Sequence, residues 1–173
     1  KHRITQAEKN VVFSLDHKPA LDVFYHDIGE VLSRDIEKAS SYIFTGLCIA
    51  DSDKNDYMVR TLVGVDDDKK VFAINDYLIE GQDLLFCRRD GNAATEDMEH
   101  MLQNIKKRLT GTPKGGIYIS CLGRGREQFG ENSEEIKMIH DILGDFPLTG
   151  FFANGEIHHN RVYGYTGVLT LFV

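Results

Sequence analysis

Apolar residues recur along the chain with two different periods, and the switches between them set the expected elements. Residues 11–15 alternate weakly and read as a strand. Pro19 then opens a helix over 19–34 in which Leu21, Phe24, Ile28, Val31 and Leu32 fall at helical spacing. Four short strands come next, at Tyr42 to Ala50, Tyr57 to Val65, Val71 to Asn75 and Gln82 to Arg88. Short polar links separate the first three, which predicts antiparallel pairing rather than parallel strands joined by helices. A second helix over 95–110 has Thr95 as its cap, acidic residues in its first turn and Gly111 at its end. Its apolar face is Met98, Met101, Leu102, Ile105 and Leu109. A strand at Gly116 to Leu122 precedes a third helix over 133–143, which Asn132 and Glu135 open as a capping box and Gly144 stops. Strands at Leu148 to Ala153 and Thr166 to Val173 complete the pattern.

The elements predict an α+β fold, a mostly antiparallel sheet with about three helices packed on it, in one domain over 1–173. The helix faces bury Phe24, Ile28, Met101, Leu102, Ile105, Ile136 and Ile139. A length of 173 residues suffices for one domain with a real core. The net charge of −7 leaves no basic stripe for phosphates, so nucleic acid is not an expected partner. The basic cluster Lys106-Lys107-Arg108 ends a helix and complements its dipole. Cys48, Cys87 and Cys121 form an odd set without CxxC spacing, which points to free thiols in a reducing, cytoplasmic setting. No apolar run reaches membrane-spanning length, so membrane insertion is not expected.

Two glycine-flanked signatures carry the candidate chemistry. Ser120-Cys121-Leu122-Gly123-Arg124-Gly125 ends one strand, and Gly150-Phe151-Phe152-Ala153-Asn154-Gly155-Glu156 ends another. Each places one charge, Arg124 or Glu156, beside glycines that allow a tight turn. Opposite charges at neighbouring strand ends suit a small zwitterion; they suit a structural salt bridge equally well. The Gly123-x-Gly125 turn is no dinucleotide fingerprint, because Gln128 stands where the third glycine belongs. Its backbone and arginines retain the capacity to bind an anion.

Other candidates resolve more simply. Cys121 continues the alternation of Ile117 and Ile119 and reads as a small core residue, with a cysteine/histidine nucleophile as the alternative. His158 and His159 point to opposite faces of an extended chain, and a Glu156/His158 pair lacks a third ligand, so no metal or cofactor is assigned. His140 lies on an apolar helix face and reads as a satisfied core histidine. Asp51-x-Asp53-x-Asn55 begins like a calcium loop but has Asp56 and Leu62 where glycine and glutamate belong. Arg60 interrupts a strand on the face of Met58 and Leu62. If that face is buried, its guanidinium needs a carboxylate or a polar pocket; if exposed, it is simply solvated.

Taken together, these segments resemble the C-terminal half of the FIST family, the sensory module of F-box and intracellular signal transduction proteins. The resemblance rests on Asp16 to Leu21, Tyr57-Met58-Val59-Arg60 with Gly64-Val65-Asp66, and Glu80-Gly81. It continues through Cys121-x-Gly123-Arg124-Gly125, Gly150-Phe151-Phe152-x-x-Gly155-Glu156 and Tyr165-Thr166-Gly167. It implies a non-enzymatic intracellular domain that senses a small, amino-acid-like molecule. It further implies that the FIST N-terminal half is absent from this chain, and that this half and signalling output domains are its partners. The expected ligand site comprises Arg60, Cys121, Gly123, Arg124, Gly125, Asn154, Gly155 and Glu156. Arg124 and the glycine backbone would take a carboxylate, and Glu156 an amino group. The alternatives are an interaction module without a ligand, and a cysteine-dependent hydrolase using Cys121.

Overall fold

A computed structural model describes residues 1–49, 57–132 and 134–173, which form two compact units, Lys1–Arg89 and Asp90–Val173. The Asp51 to Asn55 segment lies outside the described residues.

The first unit contains β1 (His2–Glu8), β2 (Val11–Leu15), β3 (Lys18–Pro19), α1 (Ala20–Ser33), α2 (Ile36–Tyr42), β4 (Ile43–Cys48), β5 (Tyr57–Asp66), β6 (Val71–Ile74) and β7 (Asp83–Arg88). Its sheet runs β1-β7-β4-β5-β6-β2-β3, and a further β1–β2 pairing closes six of the strands into a barrel-like ring. Every pairing in it is antiparallel. The expected block over 42–88 is present, but β7 pairs with β4 rather than continuing beyond β6. The strand β1 was not anticipated from its polar, charged sequence. Its one fully buried apolar residue is Ile4.

The core of this unit is formed by Ile4, Val12, Leu15, Leu21, Phe24, Phe72, Ile74 and Leu84. Phe24 is its aromatic centre, with ring centroids 5.0 Å from Phe86 and 5.8 Å from Phe72. The expected apolar stripe of α1 fails at Val31, which is 83% exposed. The cause is Gly29, whose φ of 79° and ψ of 166° break the helix and shift the phase of the residues after it. Arg60 finds its carboxylate within this unit: Nε donates to Asp76 Oδ2 at 2.6 Å.

The second unit contains α3 (Gly91–Lys106), β8 (Gly115–Cys121), α4 (Gly125–Phe129), α5 (Glu134–Leu143), β9 (Leu148–Ala153), β10 (Glu156–His158), β11 (Arg161–Tyr163) and β12 (Gly167–Phe172). Its main sheet has the order β12-β8-β9, and β10 and β11 form a separate hairpin. β12 is antiparallel to β8, whereas β8 and β9 run parallel with α4 and α5 in the crossover. Met98, Leu102, Tyr118, Phe129, Ile139, Leu143 and Phe146 form the core. α3 begins earlier than its apolar period indicates, because Asp90 rather than Thr95 is its cap. Asp90 Oδ1 accepts from the backbone N–H groups of Asn92 and Ala93 at 3.0 and 3.2 Å. The first turn of α3 therefore holds no acidic residue, and the helix stops at Lys106, short of Gly111. Gly144 ends α5 at φ 98°, as expected of a C-terminal glycine. His140 stacks near Phe146 at 5.4 Å, yet its buried Nδ1 has no hydrogen-bond partner among the described residues. Asp145 stands 3.8 Å away, so the expectation of a satisfied histidine is corrected.

The structure is therefore α+β with mostly antiparallel sheets, and its described residues form five helices where the apolar periods indicated three. The short helices α2 and α4 escape notice because one or two turns do not establish a period.

Truncating the aromatic centre with Phe24→Ala should cost about 3–5 kcal/mol, read from the shift of the urea unfolding midpoint. A second prediction concerns His2, whose ring nitrogens reach Asp16 Oδ2 at 2.6 Å and Asp27 Oδ2 at 2.7 Å. Burial lowers the His2 pKa, but hydrogen bonds to Asp27 and Asp16 outweigh it, leaving a net rise above 6.5. Asp16 is held below 3.8 by the Arg3 backbone N–H and by His2. Burial raises Asp27, but its bonds to His2 and His26 bring it below 3.8. The cluster's contribution is thus full between about pH 4 and 6.5, and is lost as pH rises through the raised histidine pKa or falls through the lowered aspartate values. Stability measured against pH should lose part of its alkaline slope in His2→Ala.

Candidate functional site

The centre of the second unit is a buried carboxylate with three donors. β8 places Tyr118 and Ser120 on one face, as the strand's period of two requires. α5 brings Glu135 to that face from its first turn, where the helix dipole favours a negative charge. The Tyr118 hydroxyl donates to Glu135 Oε1 at 2.6 Å, and the Ser120 hydroxyl lies 3.3 and 3.2 Å from the two carboxylate oxygens. Arg124 Nε donates to the same Oε1 at 3.0 Å, with both side chains largely out of water. The guanidinium also lies over the Phe129 ring, 4.7 Å from its centroid. Burial, followed by the bond to Glu135, pushes the Tyr118 hydroxyl up to about 12.

Above this cluster opens a cavity of about 630 Å³. It is lined by the polar residues Tyr118, Ser120 and Glu135 and by the apolar residues Phe129, Ile136, Phe151 and Phe152. Arg126, Glu131 and Glu134 also line it. Such a volume, with apolar walls and a few convergent polar groups, is typical of a small-molecule site.

Two close backbone approaches hold the frame. A Cβ at Gly150 would collide with the backbone oxygen of Tyr118, so only glycine allows β9 to lie against β8 there. A Cβ at Gly123 would lie 2.6 Å from the Tyr165 ring. The register pairs Cys121 with Ala153, and Leu122 N–H donates to Ala153 O at 2.8 Å, so the two signature turns leave the sheet side by side.

The expected site residues are dispersed within this arrangement. Gly125 lines the cavity, and Arg124 lies behind its wall, paired with Glu135 rather than Glu156. Glu156 is buried at the start of β10, where the Thr166 hydroxyl donates to its Oε2. Its Oε1 has no hydrogen-bond partner among the described residues. Burial raises the Glu156 pKa above 4.5, while Thr166 and the charge of Arg124 act in the opposite direction. Asn154 is exposed, Gly155 is half-buried, and the Cys121 thiol is buried. Arg60 belongs to the first unit with Asp76. Among the described residues, no group of three or more His, Cys, Asp or Glu is placed to hold a metal ion. No described helix is long and apolar enough to cross a membrane.

Sequence reasoning missed Tyr118, Ser120, Phe129 and Glu135. The apparent capping box misdirected it, since the Glu135 carboxylate is taken up by β8 and Arg124. The alternation in β8 was also assigned to the wrong face: Ile117 is exposed, whereas Tyr118 and Ser120 are buried. Ile136, expected in the core, instead lines the cavity. The available signal was Glu135 itself, an acid four residues before the buried Ile139 and so on the same helical face.

Residues 20–159 match the family model described as FIST C domain. The chain belongs to the FIST C domain family. That family is one of sensory domains in signal transduction. An uncharacterized protein of Mycobacterium tuberculosis is 31% identical to this FIST C domain over 178 residues, covering 98% of the chain and 46% of the relative. An uncharacterized protein of Mycobacterium bovis is 30% identical over 179 residues, with the same coverage. The FIST C domain thus spans about half the length of these curated relatives. No solved structure matches it significantly.

The two signature charges should respond differently to mutation. Arg124→Ala leaves Glu135 buried without its cation and should cost about 3–5 kcal/mol. Glu156→Gln removes a carboxylate whose ionisation the fold disfavours, while leaving an oxygen to accept from Thr166. A raised folded pKa means that the penalty vanishes below about pH 4.5 and is full above the folded value. At pH 7, Glu156→Gln should therefore match or exceed the wild type in urea unfolding. A third check is thiol reactivity: burial raises Cys87 to about 11, and Cys121 is enclosed, so both should label slowly in the native protein at pH 8.

Proposed function

We propose that this FIST C domain is an intracellular sensor whose small ligand, an amino acid or related metabolite, occupies the cavity above Glu135. The observation that carries the reading is a cavity of about 630 Å³ in which a buried, oriented carboxylate meets aromatic walls. Gly125 contributes to the wall, and Arg124 acts by holding Glu135. Cys121, Gly123, Asn154, Gly155 and Glu156 are not among the described residues that line the cavity. Arg60 is given no part in this cavity. The reading is non-catalytic: the polar groups at the cavity floor are engaged with one another, which suits recognition and transmission.

The length shared with the mycobacterial relatives supports a modular protein. A FIST N-terminal half and a signalling output domain are the proposed partners, in a cytoplasmic setting. Binding would be transmitted through α4 and α5, the short helices that carry the cavity's apolar and acidic residues.

A thermal-shift screen of amino acids and related metabolites tests the reading. A ligand at a hundred times its Kd should stabilise the protein by about 2.7 kcal/mol. Ile136→Trp, which fills the cavity from an exposed helix position, should abolish the shift. A screen without a hit, or a shift that survives Ile136→Trp, would contradict the cavity as the sensing site.

A further inference from the structure

We infer that the cavity selects a small primary ammonium ion with an apolar or aromatic body and no carboxylate of its own. This inference rests on the proposed cavity reading and narrows its ligand. Among the described residues that line the wall, Glu131, Glu134 and Glu135 are the acids and Arg126 the cation, while Glu134 pairs at 2.9 Å with Lys137, which does not line it. Arg126 is 75% exposed and stands 3.9 Å from Glu131, so its charge is already opposed and solvated. The other nearby guanidinium, Arg124, does not line the cavity, and its Nε is bonded to Glu135. Among the described residues, an entering carboxylate would meet the Glu135 carboxylate at the floor and no cation that is not already paired with an acid.

An entering ammonium finds a different environment. Glu135 Oε1 accepts from Tyr118, Ser120 and Arg124, but among the described residues Oε2 receives only the Ser120 hydroxyl that it shares with Oε1. A carboxylate offers about four acceptor positions, so Oε2 retains capacity for an N–H donor. Phe152, whose ring lies 3.6 Å from the position of a Cβ on Gly125, supplies an aromatic surface beside that donor's path, and Phe151 and Ile136 extend it. Aromatic faces attract cations as well as covering apolar bodies. The polar floor and the aromatic wall therefore favour opposite ends of one molecule, an arylalkylamine or a branched alkylamine.

Three matched probes separate charge from shape: 2-phenylethylamine, 3-phenylpropionate and phenylalanine, titrated calorimetrically into the whole chain. The amine should bind at least tenfold more tightly than either carboxylate-bearing probe. Glu135→Gln should weaken amine binding by tenfold or more. Because that variant disturbs a buried network, Phe152→Ala provides a second test. Phe152 is half exposed, the fold does not depend on it, and its loss should weaken the amine severalfold. Equal or tighter binding of phenylalanine or 3-phenylpropionate would overturn the inference. So would amine binding that is indifferent to both substitutions. If the amine fails while the metabolite screen finds another ligand blocked by Ile136→Trp, the charge selection is wrong and the cavity reading stands. Failure of both experiments removes both.

Discussion

The second unit depends on one constraint: the Glu135 carboxylate is buried and needs hydrogen-bond donors around it. A lone ionised carboxylate in such a place is strongly disfavoured, and its partners are consequently fixed in place. Tyr118 and Ser120 come from one face of β8, Arg124 from the turn after it, and Glu135 from α5. This single group ties the strand, the turn and the helix together. It also determines how the unit deploys its charges. Arg124 stands in the sequence as a free cation beside glycines, but in the fold its Nε is engaged by Glu135, and Phe129 lies beneath it. The cavity wall therefore includes Glu135 but not Arg124.

The glycine signatures serve this arrangement through the backbone. Gly150 allows β9 to approach Tyr118, which brings the aromatic pair Phe151–Phe152 beside the Glu135 cluster. Gly123 accommodates the Tyr165 ring, and the neighbouring Thr166 engages Glu156. Glu156 differs from Glu135 in kind. One carboxylate is served by three donors and keeps capacity on Oε2; the other has an oxygen without a hydrogen-bond partner among the described residues and a raised pKa. The first behaves as structure with a functional edge, the second as a charge that the fold carries at a cost.

Much of the architecture was legible in the sequence. The strands over 42–88 and the amphipathic helices produce clear periods, and the order of the signature motifs pointed to the FIST family, which the match over 20–159 bears out. The losses have specific physical causes. Gly29 breaks α1 within a continuous apolar period, so Val31 leaves the core. The ring closes through long-range pairing of β1 with β7 and of β2 with β6, and no local pattern encodes it. The cavity was obscured because its polar floor combines residues that each have an innocuous local explanation: Tyr118 and Ser120 in a strand, Glu135 in a capping box. Buried polar networks are assembled by tertiary proximity, and the sequence separates their members.

The central claim, that Glu135 and Arg124 form one buried electrostatic unit beneath the cavity, is tested most directly by a double-mutant cycle with Arg124→Met and Glu135→Gln in urea unfolding. Each single substitution strands one charge, whereas the pair removes both. The account predicts a double mutant more stable than the sum of the single losses implies, with a coupling energy toward the upper end of about 0.5–3 kcal/mol. Losses that add to within about 0.5 kcal/mol would show two independent side chains and contradict it.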